Sequence, residues 1–302
     1  MAKLIQWFPG HMKKAMRDME EKRALCDGVI CVLDSRAPIA TYNPKLPEIF
    51  AGKPVLYVLN KSDLSDGKSE KFAAMIEAQG KPCVAISAVN GASRRVLEKR
   101  LQILTKEKRE RAESKGVTRR FRYTVVGIPN TGKSTVVNLL GGAKRAKTGD
   151  IAGVTRDVRW IKCADFDLLD TPGTMPPSCK TQYLARHLAY IGSLNDDILD
   201  IADVALELLK ELKGNYPAAL QERYGIDCGG NDAETDKTAD EEERTREAVE
   251  MLETACRRRG FILRGGEFDY ERGARAVIDD FRKGRLGKIC LENPSDFADV
   301  KF

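Results

Sequence analysis

The sequence has no apolar run that approaches the roughly 20 residues a helix needs to cross a bilayer, so no membrane partner is expected. Its eight cysteines are scattered and form no C-x-x-C pair. A zinc site or a disulfide framework is therefore not expected, and reduced thiols in a cytoplasmic protein are the better interpretation. The opening segment, MAKLIQWFPGHMKKAM, has too few apolar residues for a signal peptide, and a motif considered below begins within it, so we expect no disposable leader.

What the sequence does have is length and an uneven distribution of charge. Its 302 residues, 42% of them hydrophobic and 32% charged, suffice for a full α/β core and a second domain. Residues 106–122 and 257–288 are strongly basic, whereas residues 227–250 are strongly acidic, within a net charge of +6. Basic clusters indicate a polyanionic partner, with nucleic acid the first candidate, and solvated helix faces are the alternative.

Strand-like and helix-like segments alternate over the first half of the chain. The predicted strands are Val29–Leu33, Val55–Leu59, Cys83–Ile86, Tyr123–Val126, Val158–Cys163 and Phe166–Leu169. Helical spacing predicts helices over 11–25, Glu70–Gln79, Arg94–Arg111, Thr135–Leu140, Leu184–Ile191, Ile198–Leu212, Glu243–Arg259 and Ala274–Lys283. This alternation predicts a parallel sheet covered by helices, with the last two strands paired as a hairpin. We therefore predict an α/β domain over residues 1–176 and a mostly helical domain over residues 177–302.

A phosphate-binding loop is the strongest motif in the sequence. Residues 127–134, GIPNTGKS, match G-x-x-x-x-G-K-[ST] and lie between a predicted strand and a predicted helix. Backbone N–H groups of such a loop surround the phosphates of a nucleotide, Lys133 supplies charge between the β- and γ-phosphates, and the Ser134 hydroxyl is placed to bind Mg²⁺. The remaining predicted phosphate contacts are Asn130, Thr131, Gly132 and Thr135.

Two further motifs point to the same nucleotide. Asp170-Thr-Pro-Gly173 follows the strand FDLL, where Asp170 is placed to hold Mg²⁺ through water and the Gly173 N–H to sense the γ-phosphate. Asn60-Lys-Ser-Asp63 follows the strand VLYVL. The Asp63 carboxylate suits the adjacent N1–H and 2-amino donors of guanine, which adenine lacks, while the Lys61 stem lies along the base and Asn60 braces the phosphate loop. Taken alone, the two segments also suit an ordinary turn and a helix N-cap.

Together these residues resemble the five motifs of the Ras-like GTPase superfamily, namely residues 60–63, Ser87-Ala88, the phosphate loop, Thr155 and Asp170-x-x-Gly173. In most members the phosphate loop comes first, whereas here residues 60–63 and Ser87-Ala88 precede it. That order resembles the circularly permuted GTPases, in which the sheet is kept and the chain is opened between two strands. The resemblance implies a circularly permuted Ras-like P-loop GTPase domain with a C-terminal α-helical domain. It also implies binding of GTP or GDP with Mg²⁺ held by Ser134, Thr155 and Asp170.

The N-terminal segment narrows the resemblance. Residues 6–12, QWFPGHM, and 34–38, DSRAP, are similar to motifs of the bacterial ribosome biogenesis GTPase A family, and the similarity extends to Tyr216-Pro217 and to residues 222–225, ERYG. The resemblance implies a GTPase that docks on the large ribosomal subunit, its RNA and its proteins, during late assembly and is stimulated by that particle. A cytoplasmic location and no DNA partner are expected.

The motifs identify the nucleotide-binding residues more directly than they identify a catalytic group. Thr174 stands where many GTPases have a glutamine that orients the attacking water. In the resembled family a histidine at the place of His11 is implicated in hydrolysis, and an imidazole is able to orient water or accept its proton. The alternative is that His11 only packs the N-terminal arm onto the domain.

Two other residues bear on hydrolysis. Asn130 is a candidate ligand for potassium, as in GTPases that resemble this chain at that position, or else a plain turn residue. Thr155 is expected to act beside Lys133 once residues 144–155 order around Mg²⁺ and the γ-phosphate. Ala152 stands where the family usually has proline, which leaves the stiffness of that loop open.

Three hypotheses follow for the function. The first is a GTPase switch in ribosome assembly, and the second is a GTPase that acts on another RNA or protein partner outside ribosome assembly. The third is a nucleotide-binding scaffold with negligible turnover. Co-sedimentation with large ribosomal subunits separates the first from the second, and a turnover assay tests the third.

Overall fold

The computed structural model describes residues 10–142, 158–176, 179, 181–228 and 240–302, with side chains from residue 14 onwards. Its strands are β1 (Gly28–Asp34), β2 (Val55–Asn60), β3 (Cys83–Ala85), β4 (Phe121–Val126), β5 (Arg159–Lys162) and β6 (Phe166–Asp170). They form a six-stranded sheet in the order β3-β2-β1-β4-β6-β5. Neighbouring strands are parallel except β5 and β6, which pair antiparallel as the sequence predicts.

The central strands are buried on both faces, which explains their continuous apolar sequences. Every residue of β1, GVICVLD, is buried, as is typical of a parallel strand with helices on both sides. From β1 the chain proceeds through β2 and β3 to one edge of the sheet, and it then returns to place β4 on the other side of β1. The strand order therefore reverses between β1 and β4, and ligands bind at the carboxyl ends of strands at such a switch point.

Seven helices are described in or at the edge of the unit that contains the sheet: α1 (Gly10–Lys22), α2 (Lys45–Ile49), α3 (Lys68–Ala78), α4 (Ser93–Leu104), α5 (Lys106–Glu113), α6 (Lys133–Gly141) and α7 (Gln182–Tyr190). The sequence predicts one helix over Arg94–Arg111, and this prediction is wrong at Thr105. There the backbone leaves the helical region, with φ −111° and ψ 17°. The Thr105 hydroxyl lies 2.9 Å from the Tyr123 hydroxyl on β4, a contact between buried groups that helical spacing does not reveal.

A second unit is helical and consists of α8 (Ile201–Asn215), α9 (Pro217–Tyr224), α10 (Glu241–Arg259) and α11 (Tyr270–Arg282). Its buried polar centre is Asp280 on α11, which has no exposed surface. Arg223 donates to this carboxylate at 2.9 and 3.0 Å, and the Tyr224 hydroxyl and Arg285 each donate at 3.0 Å. Burial raises the pKa of Asp280, but the hydrogen bonds from Arg223, Arg285 and Tyr224 outweigh it and hold that pKa below its usual value. The ERYG segment thus has a structural role in this unit.

The two compact units divide the chain differently from the predicted boundary after residue 176. The first unit comprises Met1–Leu188, Gly192–Leu194 and Cys290–Phe302, and the second comprises Ala189–Ile191 and Asn195–Ile289. Most of α7 and the last residues of the sequence therefore cluster with the sheet. Among the residues described, no helix is both long and apolar enough to cross a membrane.

Candidate nucleotide-binding site

The phosphate loop, residues 127–134, joins β4 to the start of α6 at the switch point of the sheet. Two of its glycines are required by close contacts and by positive φ angles, 150° at Gly127 and 88° at Gly132. A Cβ at Gly127 would collide with the carbonyl oxygen of Val32, and one at Gly132 would collide with Nδ2 of Asn60. The loop is thus held close to both neighbouring strands and leads into the N-terminus of α6, which favours an anion.

Lys133 is the buried positive charge of this loop. Its side chain is 7% exposed, and its ammonium group donates to the carbonyl oxygen of Ile128 at 2.6 Å. Burial lowers the pKa of Lys133 to about 8, against the opposing effect of the nearby Asp170 carboxylate. A bound phosphate would supply the negative charge that this buried ammonium group lacks.

Asn60 joins three segments of the site. Its Nδ2 donates to the carbonyl oxygen of Thr131 in the phosphate loop at 3.0 Å, and its Oδ1 accepts from the backbone N–H of Ala88 at 3.0 Å. The backbone N–H of Ser62 donates to Ile86 at 3.0 Å, which fastens the same two loops a second time. The amide of Asn60 therefore aligns residues 60–63 and Ser87-Ala88 with the phosphate loop.

The two other sequence-predicted guanine contacts, Lys61 and Asp63, differ in their surroundings. Asp63 lies in the 3-10 turn Ser62–Leu64 and is exposed, so that its carboxylate is open to a ligand. Lys61 has a left-handed backbone conformation, φ 63°, and its ammonium group donates to the carbonyl oxygen of Asn130 at 2.6 Å. The guanine motif thus reaches the phosphate loop through Lys61 as well as through Asn60.

Asp170 ends β6 beside the phosphate loop and has the properties expected of a magnesium-site carboxylate. It is fully buried, and neither of its oxygens accepts a hydrogen bond from the part of the chain that the structure describes. Arg159 Nε is 3.6 Å from Oδ2, and burial raises the pKa of the Asp170 carboxyl against the effect of Arg159. Such a buried carboxylate fits a site for a hydrated Mg²⁺ ion. Ser134, the other described residue expected to hold the ion, lies half-buried in the first turn of α6.

The segment after Asp170 packs directly on the phosphate loop. A Cβ at Gly173 would lie 2.7 Å from the backbone nitrogen of Pro129, so only glycine fits there without a shift. Thr174 is fully buried, its N–H donates to Gly127 at 3.3 Å, and its carbonyl oxygen accepts from Asn43 Nδ2 at 3.0 Å. Its backbone is held on both sides and its side chain is inside the protein, so it is not placed to orient water.

The remaining predicted residues are placed as follows. Asn130 has φ 62°, and its Nδ2 donates to the carbonyl oxygen of Gly192. Thr131 is buried, with its hydroxyl donating to Ile128 at 3.1 Å, and Thr135 is half-buried in the first turn of α6. Thr155 and the side chain of His11 lie outside the described residues.

A buried ion-pair cluster behind Lys61 was not anticipated from the residues themselves. Asp34, at the end of β1, has no exposed surface, and Arg36 is 2% exposed. Arg36 binds the carboxylate with two N–H groups at 3.0 and 2.8 Å, and Lys61 Nζ lies 2.9 Å from Oδ2. Burial raises the pKa of Asp34, but Arg36 and Lys61 outweigh it and hold that pKa well below its usual range. The only sequence signal was the DSRAP similarity.

A second unanticipated carboxylate, Glu292, lies near the end of the sequence. It is fully buried and accepts from the N–H groups of Ile39 and Ala40 at 2.6 and 3.0 Å. His187 on α7, also fully buried, places Nδ1 3.1 Å from Oε1 of the same carboxylate. These contacts hold the loop that follows Asp34, and no local pattern marks a contact over 253 residues.

The second unit presents an exposed basic surface around a short hairpin. Residues 261–269 fold back through a bridge between Ile262 and Phe268, and they join α10 to α11. Arg257 stacks on Phe268 at 5.3 Å and Arg272 stacks on Phe261 at 4.5 Å from the ring centres. Four of the exposed arginines in this region, Arg257, Arg258, Arg264 and Arg272, are called the hairpin surface below.

Comparisons with known proteins agree with these features. Residues 122–226 match a protein family described as 50S ribosome-binding GTPase. Over 299 residues, the chain is 37% identical to ribosome biogenesis GTPase A of Bacillus cereus, covering 98% of this chain and 96% of that protein. It is 28% identical to the Thermotoga maritima protein of the same name, covering 98% and 97% of the two chains. Among solved structures, GNP-bound YlqF from T. maritima has a TM-score of 0.62 at 26% identity and covers 93% of this chain and 98% of that one.

Proposed function

The chain belongs to the ribosome biogenesis GTPase A family, and we propose on that premise that it is a GTP-hydrolysing switch in late assembly of the large ribosomal subunit in the cytoplasm. One observation carries the nucleotide part of this proposal. Asn60 bonds to Thr131 across 71 residues of sequence, while Lys61 bonds to Asn130. The base-recognition motif and the phosphate loop are therefore parts of one site, although they occur in reversed order along the chain.

Each end of the nucleotide has its own residues in this proposal. Asp63 accepts from N1–H and the 2-amino group of guanine, Lys61 lies along the base, and Ala88 completes the base pocket together with Ser87. Lys133 and the N–H groups of the phosphate loop bind the β- and γ-phosphates. Ser134, Thr155 and Asp170 would hold Mg²⁺, which neutralises phosphate charge when bound.

The selectivity for guanine is tested first. Purified protein should bind GDP at least about a hundredfold more tightly than ADP, because adenine lacks both donors that Asp63 accepts and leaves its carboxylate unpaired. Asp63→Asn should lose most of this preference, whereas Asp66→Asn, an exposed change in the same loop, should keep it. Equal affinities for GDP and ADP in the unmodified protein would contradict the nucleotide assignment.

Hydrolysis requires a group that takes the place of the missing glutamine. We propose His11 for this role, because Thr174 is buried and its backbone is held by Gly127 and Asn43. His11→Ala should lower single-turnover hydrolysis by about a hundredfold while GTP affinity stays within about twofold of the unmodified protein.

We also propose that a potassium ion bound by the Asn130 side chain accelerates hydrolysis. Hydrolysis should therefore be faster in potassium than in sodium at equal ionic strength, and Asn130→Ala should abolish the difference.

The partner is proposed from the hairpin surface and the family. Its four arginines are exposed on one short segment, and two of them stack on aromatic rings, an arrangement suited to phosphates and bases of RNA. Large ribosomal subunits should therefore co-sediment with the chain, more in the presence of a non-hydrolysable GTP analogue than with GDP, and should stimulate its turnover. Binding of another RNA in preference to large subunits would favour the alternative of a GTPase that acts outside ribosome assembly.

A further inference from the structure

Asp34 occupies a position between the two halves of the candidate site. It ends β1, which lies between β2, the strand that leads to Lys61, and β4, the strand that leads to the phosphate loop. Asp34 pairs in register with Asn60 at the end of β2. The sheet therefore fixes the backbone of Asp34 directly beside Asn60, the residue at which the guanine motif begins.

Both oxygens of the Asp34 carboxylate are bound by donors, which come from Arg36 and from Lys61. Oδ1 accepts from the backbone N–H and from Nε of Arg36, both at 3.0 Å. Oδ2 lies 2.8 Å from Nη2 of Arg36 and 2.9 Å from Nζ of Lys61. A buried carboxylate with this many charged partners is stabilised in its ionised form, and it attracts the Lys61 ammonium group at every ordinary pH.

Lys61 needs such an anchor because its side chain is long and partly open to water. Its side chain is 24% exposed, and a lysine with four rotatable bonds loses much conformational freedom when it is held in one rotamer. The same ammonium group is 2.6 Å from the carbonyl oxygen of Asn130. Asp34 and Asn130 together fix the ammonium group of Lys61, which bonds to the phosphate loop, and they thereby restrict the stem that is proposed to lie along the base.

We propose that Asp34 is a positioning residue that holds Lys61 between the base-recognition motif and the phosphate loop, and so sets how long a guanine nucleotide stays bound. The proposal rests on the nucleotide site proposed above. In this proposal Asp34 affects the nucleotide through Lys61 alone. A purely structural role, in which Asp34 only anchors Arg36 and the loop after β1, is the outcome to be distinguished.

A double-mutant cycle on GDP affinity and GDP dissociation rate distinguishes them. Asp34→Asn keeps the shape and one acceptor but removes the charge, and Lys61→Met keeps an unbranched stem but removes the ammonium group. Each single variant should bind GDP about tenfold more weakly through faster dissociation, since each removes the ion pair between Asp34 and Lys61. The double variant should bind no more weakly than Lys61→Met, because without the ammonium group Asp34 has nothing to position.

The turnover rate at saturating GTP distinguishes a positioning role from a folding defect, because a folding defect would lower it. It should stay within about twofold of the unmodified protein in Asp34→Asn, while the GTP concentration for half-maximal turnover rises about tenfold. A double variant that shows the product of both single losses, about a hundredfold, would overturn the proposal. Lys61→Met tests the premise whether or not Asp34→Asn folds, since GDP affinity equal to that of the unmodified protein would also overturn the proposal.

The GDP and ADP affinities of the unmodified protein separate this proposal from the proposal that the chain binds guanine nucleotides at all. If it does not prefer GDP over ADP, the nucleotide assignment itself fails, whatever the cycle shows. If it prefers GDP but the two losses are additive, the assignment stands and only the positioning role of Asp34 is refuted.

Discussion

At the scale of single residues, the buried Lys133 ammonium group makes nucleotide binding depend on pH. Burial lowers its pKa to about 8 in the protein without nucleotide, whereas bound phosphate requires the charged form. GDP affinity should therefore be constant below about pH 8 and should fall about tenfold per pH unit above it, because a proton must be taken up on binding. Isothermal titration with GDP between about pH 7 and 9 measures this slope.

Lys133→Arg provides the control for that titration, because a guanidinium group stays protonated throughout the range. Its affinity for GDP is expected to be lower, but the part of the slope that comes from Lys133 should be absent. Ionisation of guanine itself is common to both proteins and cancels in the comparison. Identical slopes in the two proteins would show that Lys133 does not titrate in this range.

A second residue-scale prediction concerns Gly132. Its φ of 88° disfavours any side chain, and an added Cβ would collide with Asn60 Nδ2 and displace the bond from Asn60 to Thr131. Gly132→Ala should weaken GDP binding by at least about tenfold, since backbone strain and a lost hydrogen bond each contribute on the order of 1 kcal/mol or more. Gly91→Ala is the matched control, because nothing lies within 4 Å of a Cβ there. Equal affinities in the two variants would contradict this account.

At the scale of elements, the sequence was most informative where local pattern and burial agree. The apolar runs at β1, β2 and β4 identified buried parallel strands, and the phosphate-loop motif located the start of α6. The pattern failed where distant partners decide the outcome. The break at Thr105, whose hydroxyl lies next to that of Tyr123, interrupts a stretch whose apolar spacing stays helical. Helix α9 was missed for another reason, since its eight residues are too few to show a clear helical period.

The candidate site divides in the same way. Asn60, Lys133 and Asp170 were predicted because each belongs to a motif whose residue types have a chemical meaning on their own. The contacts from Asp34 to Lys61 and from Glu292 to Ile39 were not predicted, because no local pattern indicates that these positions meet. Only the folded sheet and the segment that packs beside it bring those pairs together.

The prediction at the scale of elements concerns the stability contributed by Glu292. Replacing it with alanine leaves the buried N–H groups of Ile39 and Ala40 without an acceptor, which should lower the free energy of unfolding by about 3 kcal/mol. Urea unfolding followed by circular dichroism measures the change. Asp296→Ala, an exposed change in the same segment, should stay within about 0.5 kcal/mol of the unmodified protein. A Glu292→Ala protein as stable as that control would show that the loop does not depend on this carboxylate.

At the scale of the whole molecule, the two proposed binding functions fall in different units, and the charges of those units differ in burial. Lys133 is buried in the first unit, where its ammonium group donates to the carbonyl oxygen of Ile128, whereas the hairpin surface of the second unit is exposed. Buried cations suit a small, defined anion, and exposed arginines suit a long polyanion that neutralises many charges at once. Composition locates the basic stretch 257–288, but its presentation on a hairpin depends on the antiparallel bridge between Ile262 and Phe268.

The last prediction tests whether that surface, rather than net charge, binds the large subunit. Arg258→Glu with Arg264→Glu reverses two exposed charges of the hairpin surface, and Arg95→Glu with Lys99→Glu makes the same charge change on α4. In co-sedimentation over a salt series, the hairpin variant should bind large subunits at least about tenfold more weakly, and its slope of log affinity against log salt should be shallower by about two. The α4 variant should keep the slope of the unmodified protein. Equal losses in both variants would mean that attraction is set by net charge, and the hairpin would then have no special part in recognising ribosomal RNA.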